Sequence, residues 1–325
     1  MMTSVPSLSG ETVLITGASG FIGANLCRRL ARNNSDVHAV SREVLPDLPR
    51  GVRGWRSDIS QYEEVRRIFR EVKPDIVFHL AGHVQGARGL DQVQPTLAGN
   101  LTTTVNMLSA AVESGCDRIL LTGSQDEPDP GEACATEFVP PSPYAASKLA
   151  GSAYARLFHA LYECPVTIAR IFMGYGPAQR DLAKLIPHVI LSLLQGQPPR
   201  IGTGARPMDW VYVDDIIDGL LLTSKAAGVV GRVVDLGTGT LHTGRQAVER
   251  IVLLMRSPIQ PEFGAVADRP YEKARCANVK NTETMLGWKP AVTFNDGLGH
   301  TIAWYREQFE RGPLSERQVA QALKC

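Results

Sequence analysis

The chain has 325 residues, 44% hydrophobic and 21% charged, with a formal net charge of +1. That length accommodates one large or two intimately joined domains around a substantial core, and the near-neutral balance offers nothing to a nucleic acid or an anionic membrane surface. No stretch approaches the roughly 18 apolar residues of a membrane span, and the polar start of the chain does not read as a signal peptide.

Short β-branched runs alternate with helical patterns through the first half. Residues 13–16 read as a buried strand, 21–33 as a helix, 37–40 as a strand and 62–72 as a charged amphipathic helix. A third strand follows at 75–80, then a helix at 102–114, a strand at 117–122, a helix at 142–162 and a strand at 166–172. Continuous apolar strands in this alternation predict a parallel sheet covered on both faces. Right-handed crossovers make that an α/β, doubly wound, Rossmann-type sheet. After residue 173 prolines and glycines cluster at 174–177, 196–199, 202–207 and 258–264, with helices readable at 183–194, 214–224 and 244–256. The expected division is a dinucleotide-binding domain over 1–172 and a smaller C-terminal α/β substrate-binding lobe over 173–325. Segments such as 208–240 are expected to return to the first domain, with a ligand cleft between the two. The polar tail from about 312 is expected to be peripheral.

The six cysteines (Cys27, Cys116, Cys134, Cys164, Cys276 and Cys325) show neither C-x-x-C nor zinc spacing. They read as reduced thiols of a cytoplasmic protein without a metal site. Asp209, Asp214 and Asp215 fall at a strand-to-helix junction, where acids cap helix N-termini.

Gly17, Gly20 and Gly23 sit between the first strand and the first helix, spaced G-x-x-G-x-x-G. Gly17 permits the tight turn, Gly20 lets backbone approach a pyrophosphate, and Gly23 lets helix and strand pack closely. The anion would then face the helix N-terminus, whose free N–H groups favour negative charge. An NAD site commonly carries an acid at the end of the second strand. Here the strand leads into Ser41-Arg42, a hydroxyl and a guanidinium that suit a 2′-phosphate. NADP(H) is therefore preferred. Glu43, one residue on, keeps NAD(H) possible.

Ser142 can cap a helix with Pro143 at its first position, which places Tyr144 and Lys148 four apart on one face. A phenol is a poor base at neutral pH, and an adjacent ammonium favours its ionised form. Tyr144 can then exchange a proton with a substrate oxygen while a nicotinamide exchanges hydride. Ser124, expected just after a strand, can steady the reacting oxygen.

With these residues in order, the chain resembles an extended short-chain dehydrogenase/reductase of the NAD-dependent epimerase/dehydratase family, the nucleotide-sugar modifying branch. The match runs through residues 16–23, Asp58-Ile59, His79-Leu80-Ala81, Asn100, Ser124, Tyr144, Lys148, residues 170–177, residues 206–215 and residues 286–290. The resemblance implies catalysis by Ser124, Tyr144 and Lys148. It implies cofactor contacts from Gly17, Ser19, Gly20, Phe21, Ile22 and Gly23 and from Ser41, Arg42, Asp58 and Ile59. Further cofactor contacts would come from Leu80, Ala81, Gly82, Asn100, Tyr144, Lys148 and Ile171. Substrate contacts are implied for His83, Gln125, Met173, Arg206 and Arg269, the two arginines on the diphosphate of a nucleotide-linked sugar. A homodimer, through helices 102–114 and 142–162, is also implied.

Two departures bear on the reaction. Sugar 4,6-dehydratases carry an Asp-Glu pair directly after the catalytic hydroxyl, whereas Gln125 here displaces Asp126-Glu127 by one position. Met173 stands where an asparagine commonly contacts the substrate phosphate. The leading expectation is NADPH-dependent reduction of a keto group, at C4, of a nucleotide-linked 6-deoxy sugar, as in deoxysugar biosynthesis. A 4-epimerase is the alternative, followed by a 4,6-dehydratase and a non-catalytic cofactor-binding regulator.

Overall fold

The computed structural model describes residues 4–45, 48–84, 88–128, 139–268 and 273–312. Its strands in chain order are β1 (Thr12–Thr16), β2 (Asp36–Ser41), β3 (Arg53–Arg56), β4 (Ile76–His79), β5 (Arg118–Ser124) and β6 (Val166–Ile171). They continue with β7 (Met173–Tyr175), β8 (Arg200–Ile201), β9 (Pro207–Tyr212), β10 (Val233–Leu236), β11 (Leu241–Thr243) and β12 (Glu262–Phe263).

The chain forms two compact units. The first comprises Met1–Ile171, Ile216–Leu236 and Asn278–Lys289. Its seven-stranded sheet has the order β10-β6-β5-β4-β1-β2-β3, and every pair is parallel. Nearly every side chain of β1 and β4 is buried, as a sheet covered on both faces demands. Helix Tyr62–Val72 turns Val65, Ile68, Phe69 and Val72 into the core, an i, i+3, i+4, i+7 stripe. Order along the sheet reverses between β1 and β4. Loops from those two strands therefore diverge at their C-terminal ends and leave a crevice.

Several boundaries differ from the sequence reading. The edge strand β3 was not anticipated, because Arg-Gly-Trp-Arg has neither alternation nor a β-branched run. Strand β5 runs on through Ser124, so that residue ends a strand rather than following one. The helix expected from 102 begins as a π-helical stretch, Leu97–Thr102, with Asn100 inside it, before the regular helix Thr103–Ser114. Asn278–Lys289, which carries helix Val279–Leu286, also belongs to the first unit, a second return that the sequence reading lacked.

The second unit comprises Phe172–Asp215, Gly237–Ala277 and Pro290–Cys325. It holds a small sheet β11-β9-β7 and a pair β12-β8. Tyr175, Trp210, Tyr212 and Phe294 form a ring cluster beside them, with Tyr175 edge-on to each of the others. The apolar helix Leu185–Leu194 buries most of its residues here.

Candidate active site

The glycine loop joins β1 to helix Phe21–Ala31 and lies against the backbone that follows β4. Gly17 has φ of +70°, and a Cβ there would lie 2.6 Å from the Ala81 nitrogen. A Cβ on Gly23 would lie 2.2 Å from the Gly17 carbonyl oxygen. Both positions therefore require glycine, one for conformation and one for close packing. Gly20 is the N-cap of helix Phe21–Ala31 and makes no side-chain cap. No N-cap side chain covers the first-turn N–H groups, an arrangement suited to an anion. These features fit a dinucleotide pyrophosphate.

At the adjoining corner the Ser41 hydroxyl donates to Ser19 Oγ at 3.2 Å and accepts from the Glu43 nitrogen at 3.2 Å. Arg42 and Glu43 are exposed, and Arg56, which pairs in register with Ser41, donates from Nε to the Arg42 carbonyl at 3.4 Å. Asp58 is exposed and closes its own turn by accepting from the Ser60 nitrogen. The Ile59 side chain is part of the hydrophobic core, so any ligand contact from it is through backbone.

Beyond β4 the backbone is stitched to β1. Leu80 and Ala81 donate to the carbonyl and the hydroxyl of Thr16, whose hydroxyl also pairs with His79 Nδ1 at 2.8 Å. His79 is fully enclosed, its Nε2 has no hydrogen-bond partner among the described residues, and burial together with the Lys148 charge drives its pKa down to about 3. Gly82 lies beside Lys148, and His83 pairs with Gln92 at 3.0 Å. Asn100 lies within the π-helical stretch Leu97–Thr102. It is buried, and its amide accepts from the His83 nitrogen at 2.6 Å and donates to Ser147 Oγ at 2.8 Å, which in turn donates to the Tyr144 carbonyl. The amide holds the Tyr144 helix against the loop after β4.

Helix Pro143–Tyr162 starts as its sequence predicts, with Ser142 Oγ accepting from the Ala145 nitrogen and Pro143 in the first turn. Its face brings Tyr144 and Lys148 to the end of β5. Tyr144 is hydrogen-bonded to Ser124, and Lys148 Nζ lies 5.8 Å from the Tyr144 ring centroid. Lys148 donates to the Thr122 carbonyl at 2.8 Å and to its hydroxyl at 3.3 Å. Ile171, at the end of β6, pairs in register with Ser124.

The electrostatics revise the expected role of the ammonium. Burial pushes the Tyr144 phenol up, the Ser124 hydrogen bond opposes this, and Asp126 and Glu127 push it further up. The phenol therefore holds its proton. Burial brings Lys148 down to about 8, against the pull of Glu127. Desolvation outweighs the charge–charge attraction that the i, i+4 spacing suggested.

The turn after Ser124 is also not as expected. Gln125 is buried. Glu127 accepts from the Ser124 nitrogen at 2.7 Å and from the Ser152 hydroxyl at 2.5 Å, so both carboxylate oxygens are engaged inside the protein. Sequence reasoning missed Thr122, Glu127 and Ser152. One signal was available, since 144, 148 and 152 continue a single i, i+4 stripe.

Met173 and Arg206 lie in the second unit, Met173 in β7 opposite Trp210 and Arg206 with Nη2 on the Lys273 carbonyl at 3.4 Å. Arg269 lies outside the described residues. Asp209 does not cap a helix. Fully buried in β9, it accepts from Thr238 N and Oγ1, Gly239 N and Ala277 N. Asp215 accepts from the Ala291 and Val292 nitrogens. Both are structural staples, and the described residues contain no cluster suited to a metal. Cys27, Cys116, Cys164 and Cys276 are free thiols. No helix among the described residues is long and apolar enough to cross a membrane.

Comparison with known proteins agrees with this geometry. Residues 13–237 match the NAD dependent epimerase/dehydratase family. The chain is 29% identical to a dTDP-glucose 4,6-dehydratase of Neisseria gonorrhoeae, over 93% of this chain and 97% of that protein. Its fold is similar to that of the UDP-glucose 4-epimerase of Thermotoga maritima, solved with UDP-glucose (TM-score 0.83, 25% identity, 91% of this chain and 99% of that one). It is also similar to the UDP-glucuronic acid 4-epimerase of Bacillus cereus in complex with UDP-glucuronic acid and NAD (TM-score 0.79, 25% identity, 91% of this chain and 99% of that one).

Proposed function

Because the chain belongs to the NAD dependent epimerase/dehydratase family, we propose that it reduces a keto group, at C4, of a nucleotide-linked 6-deoxy sugar, with NADPH as its cofactor. The broader statement needs no proposal: this is an NAD(P)-dependent enzyme of the extended short-chain dehydrogenase/reductase type, with a nicotinamide dinucleotide as cofactor.

The observation that carries the reading is the placement of Tyr144, hydrogen-bonded to Ser124 at the end of β5. A phenol pushed up by burial and by two carboxylates, and aimed at Ser124, is a proton donor at rest. Reduction requires that of it, since the carbonyl oxygen must gain a proton as its carbon gains hydride. A nicotinamide, when bound, would supply the hydride. Ser124 Oγ orients the oxygen and Tyr144 Oη delivers the proton. The Lys148 ammonium, held at the end of β5 by Thr122, favours the phenolate that remains. Elimination of water, as a dehydratase performs it, needs a free acid–base pair next to Ser124, and both oxygens of Glu127 are already occupied. Arg206 is the proposed contact for the substrate diphosphate, by the match of its planar donors to phosphate oxygens.

NADPH is favoured by the corner at Ser41-Arg42, where a hydroxyl and an exposed guanidinium replace the acid that would meet a free 2′-hydroxyl. A homodimer is favoured by Tyr154, Leu157 and Leu161, exposed at i, i+3 and i+7 of helix Pro143–Tyr162. A reducing, cytoplasmic setting suits the four free thiols.

A second reading, a 4-epimerase, is favoured by the similar structures, which are 4-epimerases solved with their nucleotide sugars. It uses the same three residues in both directions. The deciding experiment incubates the protein with NADPH and a nucleotide-linked 4-keto-6-deoxyhexose and follows nicotinamide absorbance. Stoichiometric NADPH loss with formation of the 4-hydroxy sugar supports reduction. Interconversion of 4-epimers with no net change in cofactor replaces it by epimerisation. Arg42→Ala should weaken NADPH binding at least about tenfold more than NADH binding; equal losses would remove the case for NADPH.

A further inference from the structure

Glu127 is an acid that the proposed reaction does not use, buried beside the residues that the reaction does use. Only 6% of its surface is exposed. Its backbone N–H donates to the Ser124 carbonyl at 3.1 Å, closing the turn that follows β5. Its side chain then folds back under that turn, Oε1 to the Ser124 N–H and Oε2 to the Ser152 hydroxyl. The space it occupies is kept open by Gly123, where a Cβ would come within 2.9 Å of Glu127 Oε1 and 2.9 Å of Ile168 Cγ2. Any other residue at 123 would displace the carboxylate or the strand.

The helix side is equally specific. Ser152 is one turn beyond Lys148 and two beyond Tyr144, on the same face. Three consecutive residues of β5 thus meet that face. Thr122 accepts from Lys148, Gly123 leaves room, and Ser124 donates its N–H to Glu127. A carboxylate wedged between strand and helix at this point serves both catalytic groups at once.

We propose that Glu127 is a positioning residue, the buried counter-ion that keeps Lys148 charged and the brace that fixes the end of β5 at Ser124. The inference rests on the proposed roles of Lys148 and Ser124, and it makes no use of Glu127 as an acid or base toward substrate. Among the described residues, Lys148 is faced by Glu127 from the turn, by neutral His79 from β4 and by the Tyr144 ring from its own helix. Glu127 is faced by Lys148 from the helix and by Arg170 from β6, whose guanidinium is itself forked onto Asp235 at 2.7 and 3.0 Å. Burial works against both charges, raising the carboxyl and bringing the ammonium to about 8, and each charge opposes that effect on the other.

The test is a pH titration of the Lys148 side chain by NMR in ligand-free protein labelled with 13C-lysine, with the resonance assigned through Lys148→Met. Glu127→Gln keeps an acceptor for the Ser124 N–H and removes the charge. It should lower the Lys148 pKa by about one unit and move the alkaline limb of kcat/KM to lower pH by the same amount. An unchanged Lys148 titration in a folded Glu127→Gln protein overturns the proposal. Should that variant not fold, the wild-type protein labelled with 13C-glutamate decides. The Glu127 carboxyl resonance must inflect as Lys148 titrates, and no inflection there overturns the proposal equally. Because both titrations are read without substrate, a coupled Lys148 in a protein that neither reduces nor epimerises a sugar would refute the proposed function and leave this inference standing.

Discussion

Two of the loop glycines, Gly23 and Gly20, should fail in different ways when each is given a methyl group. A Cβ at position 23 would stand 2.2 Å from the Gly17 oxygen, whereas ordinary contact begins at 3.4 Å. Helix Phe21–Ala31 must therefore retreat by about 1 Å in a close-packed interior. Overpacking of that kind costs about 1–3 kcal/mol, offset by about 1 kcal/mol of improved helix propensity. With an overlap this deep the upper end applies, and Gly23→Ala should lose about 2 kcal/mol net, or about 3 °C in Tm for a chain of this size. Gly20→Ala meets only the Gly17 oxygen, at 3.1 Å, so its stability should stay within about 0.5 kcal/mol of wild type. Its methyl would nevertheless sit where the pyrophosphate must approach, and dinucleotide affinity should fall at least about tenfold. Thermal denaturation and equilibrium cofactor binding, measured on both variants, give the comparison. A Gly20→Ala protein with wild-type affinity would refute the placement of the pyrophosphate at this helix N-terminus. A Gly23→Ala protein with wild-type Tm would refute the packing argument.

Two further outcomes follow from buried groups. Asp209→Ala strands four donors in the second unit and should cost about 3–5 kcal/mol in urea denaturation; a loss under about 1 kcal/mol would show that water replaces the carboxylate freely. His79 takes up its proton at about 3 in the folded protein and near 6.5 when unfolded. The unfolded state therefore binds the proton first, and stability is lost as pH falls through that window, by roughly 5 kcal/mol in all. His79→Asn keeps a partner for Thr16 and should flatten the decline of urea midpoint between pH 6.5 and 4. An equal decline in both proteins would assign it to other groups.

What the sequence made legible was local. The glycine loop announces itself because turn, helix start and strand are contiguous, and Tyr144 with Lys148 because i, i+4 spacing fixes a shared face. The neighbours of those residues were hidden for the opposite reason. Glu127 reads as a displaced member of an acid pair until its two partners, one in β5 and one a full helix away, are brought to it. Asn100 resembles a ligand contact, yet its amide is engaged by His83 and Ser147. Asp209 looks like a helix cap until two other segments, at Thr238-Gly239 and Ala277, converge on it. Spacing placed an ammonium beside a phenol but could not register the burial that weighs on both. Strand β3 and the short strands of the second unit carry too few residues for periodicity to reveal them.

The central claim is that Ser124, Tyr144 and Lys148 form one proton-delivery unit. Single-turnover kinetics of Tyr144→Phe, with cofactor affinity measured on the same sample, test it most directly. The rate of sugar conversion should fall about 10²–10⁴-fold, with dinucleotide affinity within about twofold of wild type. A Tyr144→Phe protein that converts its sugar at the wild-type rate would contradict the account at its centre.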